Sequence, residues 1–212
     1  MNALLIIDLQ NDFCPGGSLA VPDGDAIIPV VNKLAAHFSL VAATKDWHPQ
    51  EHVSFSESHQ GSEIFDTVSV HGLEQMLWPV HCVQGSKGAE LHPDLNLNPI
   101  DLILHKGTRQ QLDSYSAFFE NDGTTPTGLQ GWLKDFGVTH VYVCGLAEDV
   151  CVFHSAVDAH TCGFVTTVIS DATRAVDTPK GSAERTRAEL KALGIHSMPH
   201  QQAITELQTA SK

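Results

Sequence analysis

Cys151 follows the apolar run at 141–147 (VYVCGLA) and opens the amphipathic stretch 148–160. A thiol at such a strand-to-helix corner is a nucleophile candidate. Helix N-terminal amides and the helix dipole stabilise a thiolate and can lower its pKa well below the free value of about 8.5. Three other apolar runs also end in chemistry: the first at Asp8, the second at Lys45-Asp46-Trp47-His48, the third at His105-Lys106-Gly107. Asp8, Lys106 and Cys151 make a triad in which the carboxylate accepts the thiol proton while the ammonium favours both anions. Such a set suits attack on a carbonyl, with the backbone amides of Ala147 and Cys151 as candidates for cradling the oxyanion.

A second constellation lies beside it. Asp46 and His48 are two residues apart, so in an extended segment both side chains face one side. His52 follows, and His81 stands in WPVHCVQ at 78–84. One carboxylate with two or three imidazoles, and positions left for water or substrate, matches a catalytic site for one divalent ion: zinc, iron or manganese. Singly, each residue has a plainer role. Asp8 can bond loop amides, Cys151 can be an inert packed thiol, and Asp46 can cap a turn before Pro49. Joint placement at separate strand ends favours chemistry. His59, His71, His92, His140, His154, His160, His196 and His200 read as surface or packing residues, and Cys82 as a packed thiol.

The elements that must position these groups alternate. Continuous apolar runs at 3–9, 40–44, 100–105, 140–146 and 164–169 read as strands buried on both faces. Between several of them lie helical patterns: Ile27, Val31, Leu34 and Phe38; Leu129, Leu133 and Phe136; Val150, Phe153 and Val157; Thr186, Leu190 and Leu193. The expectation is an α/β fold of three layers, a mostly parallel central sheet with helices on both faces and a Rossmann-like topology. In such sheets ligands bind beyond the carboxyl ends of the strands. Thr127-Gly-Leu-Gln130 has the form of a capping box, and Gly137 and Gly194 stand where helices should end. The chain reads as a single domain, 1–212, with a functional insertion at about 46–98, dense in His, Pro, Ser and Gly. The tail 201–212 is expected to fray.

Composition narrows the partners. A net charge of −13, from 25 acidic and 12 basic residues among 212, argues against nucleic-acid or anionic-membrane surfaces. Five widely spaced cysteines without a Cys-x-x-Cys pair fit reduced thiols in the cytoplasm. The apolar start is too short for a signal-peptide core, and no stretch is long enough to span a bilayer. A homo-oligomer is left open. A dinucleotide binder is disfavoured, because the turn after the first strand offers no Gly-x-Gly-x-x-Gly.

Seven segments together resemble the nicotinamidases, also called pyrazinamidases, within the isochorismatase-like cysteine hydrolases. They are ALLIIDLQNDF at 3–13, CPGGSLAV at 14–21, ATKDWHP at 43–49, WPVHCV at 78–83, HKG at 105–107, DSYSAF at 113–118 and GLAEDVCV at 145–152. The resemblance implies an isochorismatase-like fold and hydrolysis of nicotinamide to nicotinate and ammonia, and of pyrazinamide to pyrazinoate, through a cysteine thioester in NAD salvage. It implies triad roles for Asp8, Lys106 and Cys151, and a metal, zinc foremost, on Asp46, His48 and His81. His52 matches a position that is a ligand in some members. Phe13, Trp78 and Tyr115 match the substrate pocket, and Ala147 and Cys151 the oxyanion amides, beside a cis bond between Leu146 and Ala147. The sequence departs from the family at Glu148, commonly Thr, and at Val150, often aromatic or His. The alternatives are another small-amide cysteine hydrolase of the superfamily and a non-catalytic metal-binding relative. Cys151 itself disfavours an isochorismatase.

Overall fold

The computed structural model describes residues 1–210. Eight strands and five α-helices follow one another: β1 (Asn2–Ile7), α1 (Ile28–Ala35), β2 (Val41–Asp46), β3 (Thr67–Val70), β4 (Leu73–Met76), β5 (Leu102–Lys106), α2 (Leu129–Asp135), β6 (His140–Leu146), α3 (Phe153–Thr161), β7 (Val165–Arg174), α4 (Ser182–Ala192), β8 (His196–Met198) and α5 (His200–Ala210). Six strands form one parallel sheet in the order β5-β2-β1-β6-β7-β8. From β1 the chain builds outward on one side through β2 and β5, and on the other through β6, β7 and β8. That reversal leaves a crevice at the carboxyl ends of β1 and β6, where open α/β sheets bind their ligands.

Period-two alternation along β1 explains the layers. Leu4 and Ile6 enter the core that α1 and α5 cover, with Val31, Leu34, Ala203 and Leu207. Ala3, Leu5 and Ile7 enter the opposite core, with Leu129 and Leu133 of α2, Ala156 and Ala159 of α3, and Leu190 of α4. A strand covered on both faces has no solvated side, so its sequence reads as an unbroken apolar run. At Gly145, with φ 115°, a Cβ would lie 2.0 Å from the Ile7 carbonyl oxygen, so β6 can approach β1 this closely only through glycine.

Three features differ from the expectations. The tail does not fray up to residue 210: α5 packs Ala203, Ile204 and Leu207 against α1 and the sheet. The proposed capping box is not formed as such. Gly128, at φ 101°, is the N-cap of α2, while Thr127 Oγ1 accepts from the Leu129 amide at 3.2 Å and donates to the Ala117 carbonyl at 2.6 Å. The long insertion is not structureless, since β3 and β4 pair as an antiparallel hairpin. Its alternation is weak, Thr67 being exposed and only Gln75 fully buried, which leaves little apolar signal to read. Among the described residues, no helix is long and apolar enough to cross a membrane.

Candidate active site

Each strand of the crevice delivers one group. Asp8 follows β1 in a left-handed conformation, φ 47°, and is fully buried. The Thr44 hydroxyl donates to its Oδ1 at 2.6 Å and accepts from the Asp8 amide at 3.2 Å, while Oδ2 lies 2.9 Å from Lys106 Nζ. Lys106, the last residue of β5, is 1% exposed. Its ammonium donates to Asp46 Oδ1, to the Ser114 carbonyl at 2.9 Å and to Cys151 Sγ at 3.5 Å. Asp8, Asp46 and Cys151 bring one ligand atom each within 4.8 Å of one another. Two carboxylates, one ammonium and one thiol therefore lie buried together.

Burial decides how these groups titrate. Desolvation pushes Asp8 up from 3.8 to about 6, and Lys106 opposes the rise. Asp46, equally buried, is nevertheless held well below its usual range, Lys106 and His48 opposing the desolvation. Lys106 is pushed up because Asp46 and Asp8 outweigh its own burial. The lowered thiol pKa expected of Cys151 is not found. Burial drives it well above 9.0 and Asp8 and Asp46 add to the rise, with only Lys106 pulling the other way. Cys151 also does not head a regular helix: it lies in a π-helical turn, Glu148–Val152, that precedes α3. The thiol therefore rests protonated, with the Asp8 carboxylate within 4.8 Å of it.

The donor set for a cation stands on the other side of Asp46. Asp46 Oδ2 lies 3.5 Å from His48 Nε2 and 3.8 Å from His81 Nε2, and the three residues place one ligand atom each within 4.8 Å of the others. Each imidazole is oriented through its other nitrogen: His48 Nδ1 meets the Gly107 carbonyl at 2.9 Å, and His81 Nδ1 the Pro79 carbonyl at 2.7 Å. That leaves both Nε2 atoms directed at the carboxylate, the arrangement that fixes metal-binding histidines. Gly107 has φ 60°, and a Cβ there would lie 2.4 Å from His48 Cε1, so glycine seats this ring. The residues fit a divalent metal. His52 is placed differently. Its Nδ1 bonds Ser54 Oγ at 2.7 Å, its ring stacks on His48 at 4.2 Å, and it groups with His48 and Asp113 rather than with the Asp46 trio. Burial depresses it to about 4, so it is neutral at pH 7.

A small cavity of about 30 Å³ joins both sets, lined by Asp46, His48, His81, Ala147 and Cys151 as well as Phe13, Trp78 and Tyr115. The bond between Leu146 and Ala147 is cis. The Trp78 indole donates to the Tyr115 hydroxyl at 3.1 Å, and Gln75 from β4 donates to Asp113 Oδ2 at 2.9 Å and to the same hydroxyl at 3.2 Å. The sequence had not singled out Leu19, Asp113 and Val176 as members of this wall. Nor had it marked Gln10, whose amide clamps the Asp46 backbone, accepting from its N–H at 2.7 Å and donating to its carbonyl at 2.8 Å.

The isochorismatase domain family matches residues 2–202. This chain belongs to that family. A nicotinamidase of Acinetobacter baylyi is 47% identical over 91% of this chain and 90% of its own length. The structure of an Acinetobacter baumanii nicotinamidase and pyrazinamidase superposes with a TM-score of 0.93 at 46% identity, covering 95% of this chain and 97% of that one. A pyrazinamidase of Pyrococcus horikoshii solved in complex with zinc does so with a TM-score of 0.76 at 36% identity, covering 93% of this chain and 98% of that one. The two solved relatives share this chain's fold.

Proposed function

We infer that this chain is a nicotinamidase, a cysteine amidohydrolase that converts nicotinamide to nicotinate and ammonia, and pyrazinamide to pyrazinoate, in NAD salvage. The observation that carries the reading is the buried Asp8–Lys106–Cys151 cluster opening onto an aromatic-walled cavity beside the Asp46, His48 and His81 donors. As Cys151 Sγ attacks the carboxamide carbon, Asp8 takes the thiol proton. A carboxylate with a pKa of about 6 is ionised at neutral pH and still a better base than an ordinary aspartate. The amides of Ala147 and Cys151 receive the oxyanion. Asp8 then returns its proton to the amide nitrogen, ammonia leaves, and a thioester to Cys151 remains. Asp8 next deprotonates a water that attacks the thioester, and collapse releases nicotinate and restores the thiol. Lys106 keeps its charge throughout and offsets whichever of Asp8 or Cys151 is anionic.

Phe13, Trp78 and Tyr115 hold the ring, an ordering that supplies orientation rather than bond chemistry. Asp46, His48 and His81 would hold one divalent metal, zinc foremost, with His52 as an adjoining neutral imidazole. When bound, that ion supplies a Lewis-acid site to which an aromatic ring nitrogen is a suitable ligand. The family match across 2–202 supports a single domain, and Asp46, His48 and His81 fall within the 46–98 segment that we read as its metal-bearing insertion. Five unpaired cysteines support residence in the reducing cytoplasm.

Ammonia release from nicotinamide by the purified protein tests the reading. Release should vanish in Cys151→Ala and after metal removal. A folded, metal-loaded wild type that acts on another small amide and leaves nicotinamide intact would transfer the triad to a different substrate.

A further inference from the structure

Asp149 lies two residues before the nucleophile, and its carboxylate is committed to the chain that leaves β7. Oδ1 accepts from the Val176 amide at 2.9 Å. Oδ2 accepts from the Asp177 amide at 2.9 Å and from the Ser182 hydroxyl. Asp177, left-handed at φ 52°, accepts in turn from the amides of Gly181 at 2.9 Å and Ala183 at 3.2 Å, at the start of α4. Next to Asp149, Glu148 reaches the same helix through a two-pronged pair with Arg187, at 2.7 and 2.6 Å. The turn that carries Cys151 and the segment 176–182 are thus one hydrogen-bonded unit. Val176, whose amide Asp149 holds, forms part of the cavity wall.

We propose that Asp149 is a positioning residue that sets the width of the substrate cavity by holding Val176 at its wall, and so excludes nicotinamides that carry ring substituents. The proposal rests on the nicotinamidase reading and extends it to substrate range. One methyl group at an apolar wall is worth about 10- to 200-fold in discrimination. Displacing Val176 therefore changes relative, not only absolute, turnover.

The test compares kcat/KM for nicotinamide with that for nicotinamides methylated at each ring carbon in turn. The proteins are the wild type, Val176→Ala, Asp149→Asn and the double variant. Asp149→Asn keeps the size of the side chain but turns one acceptor oxygen into a donor facing other donors. Val176→Ala should raise the methylated-to-parent ratio about tenfold or more for the isomer whose methyl meets this wall. Asp149→Asn should raise the ratio for the same isomer, mainly through KM, and add nothing further in the double variant. Ser182→Ala, which removes one donor to Asp149 at a half-buried surface position, should shift the ratio the same way by less, and serves if Asp149→Asn does not fold. A uniform loss across all the amides with an unchanged ratio overturns the proposal, as does an unchanged ratio in Val176→Ala; both leave nicotinamide hydrolysis standing. A wild type that releases no ammonia from nicotinamide overturns the functional reading itself.

Discussion

Replacing Lys106 by Met shortens the side chain by one atom, keeps its unbranched shape and removes the one charge that Asp8 and Asp46 share. Losing one partner of a buried ion pair costs about 3–5 kcal/mol. Because two carboxylates lose the same cation, we expect the metal-free variant to lie at the upper end, about 5 kcal/mol less stable at pH 7. Protonation limits the loss. Asp8 already titrates near 6 with Lys106 in place, against 3.8 ordinarily, and rises further without it. The folded variant then binds a proton between pH 7 and 5 that the unfolded chain does not bind until near pH 4, so its stability rises as pH falls. At about 1.4 kcal/mol per pH unit, Asp8 recovers about 2.7 kcal/mol over those two units. Wild-type Asp8, half-protonated near pH 6, gains only about 1.4 kcal/mol over the same range. The gap between the two proteins should therefore narrow by about 1.4 kcal/mol from Asp8, and further if Asp46 also protonates. Urea denaturation of chelator-treated protein at both pH values measures it. A gap that stays constant or widens would refute the dependence of these ionised carboxylates on Lys106.

Two further outcomes follow from the same geometry. As Asp8 protonates below pH 6 it can no longer accept the thiol proton, so kcat/KM for nicotinamide should fall about tenfold per pH unit below that point; an acid limb absent down to pH 4 would remove Asp8 from the role of base. Gly107→Ala drives a Cβ into His48 and strains a left-handed backbone, so zinc affinity should drop about 10- to 100-fold by competition titration with a chelator, and an unchanged affinity would mean that His48 is not held by this contact.

The sheet was legible because β1, β2 and β6 are buried on both faces and leave unbroken apolar runs that end in Asp8, Asp46 and the turn to Cys151. The helix α5 was not, because Gln201, Gln202, Glu206 and Gln208 make its exposed side resemble a solvated tail, while three inward residues suffice to dock it. Site residues at strand ends could be read from position, since topology alone brings them together. Gln10, Asp113, Leu19 and Val176 could not, because their part depends on where loops far apart in sequence meet. The thiol pKa was misjudged for a related reason. A helix terminus can be inferred from sequence, but the depth of burial that outweighs it cannot.

Asp46 turns Oδ1 to Lys106 and Oδ2 to His48 and His81. A single carboxylate is therefore shared between the cluster of Lys106, Asp8 and Cys151 and the proposed metal donors His48 and His81. A cation bound by Asp46, His48 and His81 would compete with Lys106 for the Asp46 charge and would leave more of the ammonium's field for Cys151. By reciprocity an ionised Cys151 tightens the hold on the cation. Neither half of the site can drift independently: a lineage or an engineer that exchanges the metal ligands also resets the acidity of the thiol.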